Sequence, residues 1–207
     1  IPSDTDYKIA ALFGCAITTG FGVIENDAKI KMGESVVIFG AGGIGLNIIQ
    51  GANLKSAWPI IAVDIFDNRL AMAKKLGATH TFNSNKTDIK SALEKITKDG
   101  KFDIFIDNTG LSKIIEQGYK LLNQEGRLIL VGVPKLGDNI NIFTLPLHFG
   151  KVINGSFGGE SRPDKDIPRL IKLFEKDIAI YKEIITTRFS LNRINEAINL
   201  IKNGGAA

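Results

Sequence analysis

The chain of 207 residues has little of what marks secreted or membrane-spanning proteins. Its single cysteine, Cys15, excludes an intrachain disulfide and favours a reducing compartment, so we expect a cytoplasmic location. No apolar run reaches about 18 residues, which argues against a transmembrane helix and a membrane partner. Residues 1–6 carry neither the basic nor the apolar segment of a signal peptide.

The sequence also lacks a strong charge imbalance and a histidine cluster. Lys and Arg number 26 against 22 Asp and Glu, for a formal net charge of +4, and the two signs are interleaved. This pattern is typical of a solvated mixed-charge surface and predicts no nucleic-acid partner. His80 and His148 do not have the spacing of an independent metal site. We expect His80 at a strand edge and His148 in a loop.

Apolar runs alternate with segments of helical period along most of the chain. Strands are predicted over 35–39, 59–64, 80–82, 102–107, 127–133 and 151–155. Helices are predicted after the first, second, third and fourth of these strands, with Asp67 and Thr87 as two N-caps, and further on at 165–175 and 191–202. The fold class is therefore α/β, a doubly wound parallel sheet of Rossmann type.

A glycine-rich turn directly follows the first predicted strand. Gly40, Gly42 and Gly45 meet the spacing G-x-G-x-x-G. The first glycine permits a tight turn, the second lets the backbone approach a pyrophosphate, and the third allows close packing of helix on strand. The N–H groups of the following helix would then face the phosphates.

A carboxylate follows at the position that dinucleotide-binding folds use for ribose. Asp64 ends the second predicted strand, 24 residues after Gly40. An acidic side chain there accepts hydrogen bonds from ribose hydroxyls and repels a 2′-phosphate, which favours NAD over NADP. Arg69 weakens that preference, because it could pair with a phosphate or reach the 3′-hydroxyl.

Several motifs recur together in one order and at one spacing. They are Gly14-Cys-Ala-Ile-Thr-Thr-Gly20 and the segments 37–45, 61–64, 75–78, 108–110, 130–134 and 155–159. With these motifs the chain resembles, over nearly its whole length, the coenzyme-binding part of the zinc-containing medium-chain alcohol dehydrogenases.

The resemblance implies roles for individual residues. Cys15 matches one of three protein ligands of a catalytic zinc, and Thr19 matches a residue that packs on the nicotinamide. Ile44 matches an apolar ring contact, and Phe157 lies where a backbone N–H meets the carboxamide. The candidate catalytic residues are thus Cys15 and Thr19, and the candidate coenzyme contacts are Gly40, Gly42, Gly43, Ile44, Gly45, Asp64, Arg69, Thr109, Gly132, Val133 and Phe157.

The resemblance also implies an organisation and an activity. Residues 17–157 would form the dinucleotide-binding domain, and residues 1–16 and 158–207 would flank it as parts of a catalytic domain. The remaining zinc ligands are expected upstream of the chain, so we expect a fragment without activity of its own. The whole enzyme would transfer hydride between an alcohol or aldehyde substrate and NAD, as a homodimer or homotetramer paired through a sheet edge.

Three alternatives remain open. A zinc-independent quinone or enoyl reductase of the same superfamily shares the glycine turn, but typically lacks a cysteine at position 15 and carries basic residues where Asp64 stands. A non-catalytic NAD-sensing Rossmann module would not need the segment from Cys15 to Thr19. A methyltransferase fits the three-glycine spacing poorly.

Overall fold

The computed structural model describes residues 1, 5–97, 99–174, 184–203 and 205. Its centre is one sheet of six parallel strands in the order β3-β2-β1-β4-β5-β6. The strands are β1 Val36–Phe39, β2 Ile60–Asp64, β3 His80–Asn83, β4 Phe102–Asp107, β5 Leu122–Leu130 and β6 Val152–Gly155. This order and the helices around it confirm the predicted doubly wound α/β fold.

Helices cover both faces of the sheet. They are α1 Tyr7–Phe13, α2 Ala16–Gly22, α3 Gly43–Leu54, α4 Asp67–Lys75, α5 Ile89–Glu94, α6 Ser112–Leu121, α7 Pro163–Phe174 and α8 Ile194–Lys202. Successive strand residues point to opposite faces, so β1 contributes Val36 and Ile38 to one apolar cluster and Val37 and Phe39 to the other. The first cluster packs against α1 to α4 and α7, and the second against α5 and α6.

Some predicted boundaries are wrong. The N-cap of α4 is Phe66 rather than Asp67, and the N-cap of α5 is Asp88 rather than Thr87. The fifth strand ends at Leu130, not at residue 133, because the backbone N–H groups of the next two residues both donate to the carbonyl of Asp107. That strand also begins at Leu122, with a register shift against β4 that accommodates its extra residues.

The helices that precede β1 and follow β6 in the chain were harder to predict from the sequence. The helices α1 and α2 were not predicted, although Phe13 and Phe21 pack against Phe174 of α7 with ring centroids 5.9 and 5.2 Å away. The helix predicted over 165–175 runs from Pro163 to Phe174, and residue 175 lies outside the described residues. A short 3₁₀ turn, Leu191–Arg193, precedes α8.

A π-helical turn, Val23–Asp27, continues α2. Among the described residues no single helix is long and apolar enough to cross a bilayer, although the bent pair Tyr7–Phe13 and Ala16–Asp27 passes that test when its two helices are taken together. The order of the sheet reverses between β1 and β4. In doubly wound folds the ligand lies outside the carboxyl ends of the strands at this reversal. A ligand site is therefore expected at the ends of β1 and β4.

Candidate coenzyme site

A cleft of about 590 Å³ opens at the carboxyl ends of the strands. Its lining comes from the turn after β1, the segment from Asp64 to Arg69 after β2, the loop after β4 and the residues after β5. Most of the predicted coenzyme contacts meet there: Gly40, Gly42, Gly43, Ile44, Gly45, Asp64, Arg69, Thr109, Gly132 and Val133.

The glycine turn is packed tightly on its inner side and open on its outer side. Gly40 has a φ of +91°, which favours glycine. A Cβ built on Gly45 would lie 1.9 Å from the carbonyl oxygen of Gly40. A Cβ built on Gly42 would meet only Arg69 Nη1, 3.9 Å away, so at this glycine the backbone borders the open cleft.

Asp64 is buried and holds the neighbouring backbone. Its Oδ2 accepts a hydrogen bond from the N–H of Ala41 at 2.7 Å, and its Oδ1 accepts from the N–H groups of Ile65 and Phe66 at 2.7 and 3.0 Å. Arg69 Nη1 lies 3.7 Å from Oδ2, and its guanidinium lies 4.8 Å from the ring centroid of Phe66. Because a carboxylate offers about four acceptor positions, Asp64 keeps capacity for a ligand hydroxyl.

The other half of the cleft is formed by close contact between two loops. A Cβ on Gly132 would lie 2.2 Å from the backbone nitrogen of Gly110, so only glycine fits there. Asn108 joins this half to the glycine turn, since its Nδ2 donates to the carbonyl of Gly40 at 3.2 Å. The Oδ1 of Asn108 is buried and has no hydrogen-bond partner among the described residues.

Three predicted residues lie outside the lining of the cleft. Cys15 is exposed at the N-cap of α2, and Thr19 is half-buried within that helix. Phe157 is 87% exposed. The backbone around Thr19 is nevertheless close to the segment after Phe157, because a Cβ on Gly159 would lie 2.5 Å from the carbonyl oxygen of Thr19.

The comparisons with known proteins agree with this geometry. A family model described as "Zinc-binding dehydrogenase" matches residues 43–176. The chain belongs to this family. The match includes the glycine turn from Gly43 onward, Asp64 and the loop after β4.

Curated proteins that are similar to this chain are dehydrogenases by name. The chain is 34% identical to an S-(hydroxymethyl)glutathione dehydrogenase of Saccharomyces cerevisiae over 94% of its own length and 52% of the yeast protein. It is 31% identical to the enzyme of that name from Paracoccus denitrificans over 99% of its own length and 56% of the relative. The chain thus spans about half the length of the curated relatives it matches.

Solved structures give the same result. The benzyl alcohol dehydrogenase of Acinetobacter calcoaceticus superposes with a TM-score of 0.91 at 33% identity, over all of this chain and 57% of that one. An alcohol dehydrogenase zinc-binding domain protein from Burkholderia ambifaria has the same TM-score and identity, over 55% of its chain. These matches favour the alcohol dehydrogenase prediction over the reductase, NAD-sensing and methyltransferase alternatives.

Sequence reasoning missed the apolar part of the cleft. Ile65 and Phe66 follow β2, and Leu111 and Ile114 lie where α6 begins, and all four line the cleft. Their signal was their position just past a predicted strand end, where side chains face the ligand crevice. Ile114 also packs, partly buried, against the second apolar cluster.

The two histidines lie away from the cleft. His80 begins the edge strand β3, as predicted, and its Nδ1 lies 2.9 Å from the hydroxyl of Thr79. His148 is exposed in the 3₁₀ turn Leu145–Phe149, within the predicted loop.

The residues present fit a dinucleotide but do not complete a zinc site. The open backbone at Gly42 suits a pyrophosphate, and the Asp64 carboxylate suits ribose hydroxyls. Within the described part of the chain, no group of three or more His, Cys, Asp or Glu side chains could hold a metal ion. Cys15 supplies one potential ligand, and a catalytic zinc takes three from the protein.

Proposed function

We propose that this chain is the coenzyme-binding portion of an NAD-linked, zinc-dependent alcohol dehydrogenase. The observation that carries the proposal is the cleft at the sheet reversal, where the glycine turn and Asp64 lie side by side. Bound NAD would supply the hydride acceptor for oxidation of an alcohol to an aldehyde, and the reverse transfer for reduction. The whole enzyme's substrate would be a small alcohol or aldehyde.

Different residues of the cleft would bind different parts of the coenzyme. The turn from Gly40 to Gly45 would bind the pyrophosphate through backbone N–H groups at the start of α3. Asp64 would accept the ribose hydroxyls, with Arg69 beside it. Gly132 and Val133 would meet the nicotinamide half.

The carboxylate of Asp64 supports NAD rather than NADP. A 2′-phosphate would have to approach a buried carboxylate that already accepts three backbone hydrogen bonds and cannot turn away without breaking them. Arg69 offers a positive charge nearby, but its guanidinium lies beside both Asp64 and the ring of Phe66. We therefore expect a preference for NAD that is strong without being absolute.

The proposal for zinc is limited to one residue. Cys15 is exposed, and a thiolate is a common zinc ligand, so it suits a site completed by residues outside this chain. Thr19, one helical turn later, and Phe157, on the segment that packs against α2, would approach the nicotinamide from the same side.

The proposed domain boundaries keep residues 17–157 as the dinucleotide-binding unit, flanked by 1–16 and 158–207. Support comes from α8, in which no residue is buried although Ile194, Ile198 and Ile201 form an apolar stripe. Such a stripe needs a partner, and the rest of the catalytic domain would provide it. The cytoplasm remains the proposed location.

We further propose that the whole enzyme is a homodimer or homotetramer. In the described part of the chain β6 pairs only with β5, which leaves its outer edge open. Leu145, Phe149 and Val152 are exposed near this edge, at 50, 58 and 43%. Open edges with apolar neighbours are usually paired in native proteins, and sedimentation analysis of the whole enzyme would test this.

The coenzyme proposal is tested by NADH titration of the purified chain, followed by NADH fluorescence. Gly42→Ala places a methyl group at the cleft surface without a contact closer than 3.9 Å, so it should leave the fold intact and weaken NADH binding about tenfold or more. Gly155→Ala is the matched control, because its Cβ would meet nothing within 4 Å. Wild-type protein that binds no NADH, or equal affinities in the two variants, would contradict the proposal.

A further inference from the structure

The last residue of β4, Asp107, is a carboxylate with no exposed surface. Its Oδ1 accepts hydrogen bonds from the backbone N–H and the hydroxyl of Thr109, at 3.0 and 2.5 Å. Its Oδ2 accepts from the N–H of Gly110 at 2.9 Å. A buried charge is expensive unless it is fully hydrogen-bonded, so these donors are bound to the carboxylate rather than free to move.

The backbone of Asp107 holds the opposite side of the cleft as well. Its carbonyl accepts from the N–H groups of Val131 and Gly132, at 2.8 and 2.9 Å. The loop after β4 and the end of β5 are therefore fastened to one residue. Their contact leaves no room for adjustment, since a Cβ on Gly132 would lie 2.2 Å from the nitrogen of Gly110.

A third connection joins this residue's loop to the glycine turn. Asn108 follows Asp107 directly, and its amide donates to the carbonyl of Gly40. Asp107 itself does not line the cleft, whereas Asn108, Thr109 and Gly132 do. Its carboxylate thus fixes the loop after β4 from behind, while its backbone carbonyl holds the residues after β5 and Asn108 holds the glycine turn.

We propose that Asp107 is a positioning residue for the coenzyme: its buried carboxylate sets the loop after β4 against Gly132 in the geometry that binds the dinucleotide. This inference rests on the proposed NAD site. It predicts that loss of the carboxylate lowers coenzyme affinity even in a variant that remains folded, because the loop relaxes while the sheet does not unfold.

Asp103, on the same strand, provides a matched control. Its carboxylate also accepts three hydrogen bonds, from the N–H and hydroxyl of Ser35 and from Asn123 Nδ2, at 2.8, 2.7 and 2.8 Å. It lies at the opposite end of β4, away from the cleft. Asp107→Asn and Asp103→Asn therefore make the same chemical change at the two ends of one strand.

The test measures NADH affinity of both variants without urea, where each is folded. A separate urea titration gives the free energy of unfolding of each variant. We expect Asp107→Asn to weaken NADH binding about tenfold or more, since its amide opposes backbone donors, and Asp103→Asn to stay within about twofold of wild type. Equal affinities in the two variants would overturn the role of Asp107 alone. A wild-type chain that does not bind NADH would overturn the coenzyme proposal itself.

A second pair keeps the inference testable where Asp107→Asn does not fold. Thr109→Val removes the hydroxyl that donates to Asp107 and accepts from the N–H of Leu111, while Thr109→Ser keeps it. We expect the valine variant to bind NADH at least about threefold more weakly than the serine variant. Because Thr109 itself lines the cleft, the amide of Gly110 should also exchange its hydrogen faster in the valine variant without coenzyme, which loss of a direct coenzyme contact would not cause. Equal affinities of the valine and serine variants would refute the proposal.

Discussion

Gly45→Ala should destabilise the protein through a single contact. The added Cβ would lie 1.9 Å from the carbonyl oxygen of Gly40 and 3.0 Å from its carbon. Gly40 cannot retreat easily, because its N–H donates to the carbonyl of Val63 at 2.8 Å and its own carbonyl accepts from Asn108. Overpacking of this kind costs about 1–3 kcal/mol, against a gain of up to about 1 kcal/mol from alanine in a helix. We expect a net loss of about 1–2 kcal/mol.

Gly43→Ala is the control for this prediction, since it makes the same change two residues earlier in α3. Its Cβ would meet only the Cβ of Ala16, at 4.0 Å, and its φ lies outside the left-handed region. The alanine should therefore stabilise the chain by about 0.4–1 kcal/mol through reduced freedom of the unfolded state.

Urea denaturation followed by circular dichroism gives both free energies of unfolding. The two variants should differ by about 2 kcal/mol, with opposite signs relative to wild type. If Gly45→Ala is as stable as Gly43→Ala, the close contact between α3 and the turn is not a constraint, and the reasoning fails.

Three further outcomes are expected. Burial raises the pKa of Asp27, and the negative charge of Glu160 adds to this effect, although a hydrogen bond with Ser156 opposes it. The free energy of unfolding therefore falls as pH rises through the raised pKa. Asp27→Asn should be more stable than wild type in urea at pH 7, and the difference in stability should shrink towards pH 4. Lys151→Met removes the Nζ that donates to the carbonyls of Tyr119 and Leu122, which should cost about 1–3 kcal/mol in the same assay. The chain alone should form no NADH from a primary alcohol, because its described residues do not complete a zinc site, and any alcohol-dependent NADH absorbance would contradict this.

The strands of the sheet could be predicted because each is marked by a short run of neighbouring apolar residues in the sequence. Strands buried on both faces read as unbroken apolar runs, and β1, β2 and β4 were placed within a residue of their observed ends. The fifth strand was predicted late because its first part carries Asn123, Gln124 and Glu125, polar residues that a pattern of apolar runs passes over. Those residues lie in the strand by its pairing with β4, which only the fold reveals.

The candidate site was predictable where one residue type has one physical reason. Gly40, with its positive φ, and Asp64, at a strand end, are such cases. Asp107 looked the same as Asp64 in the sequence, an acidic residue ending a strand. Their surroundings differ: Asp64 borders the cleft, whereas the carboxylate of Asp107 accepts three hydrogen bonds from Thr109 and Gly110 behind it.

The glycines of the motif have two different functions, close packing of the backbone and access for a ligand, and the sequence alone does not distinguish them. At Gly45 a side chain is excluded by the protein's own backbone, whereas at Gly42 the space beside the backbone is open. Loss of coenzyme binding after Gly45→Ala would therefore not locate the pyrophosphate, because a displaced α3 would lower affinity from a distance. The same loss after Gly42→Ala, with stability unchanged, would locate it, because the methyl group then has only the ligand to obstruct.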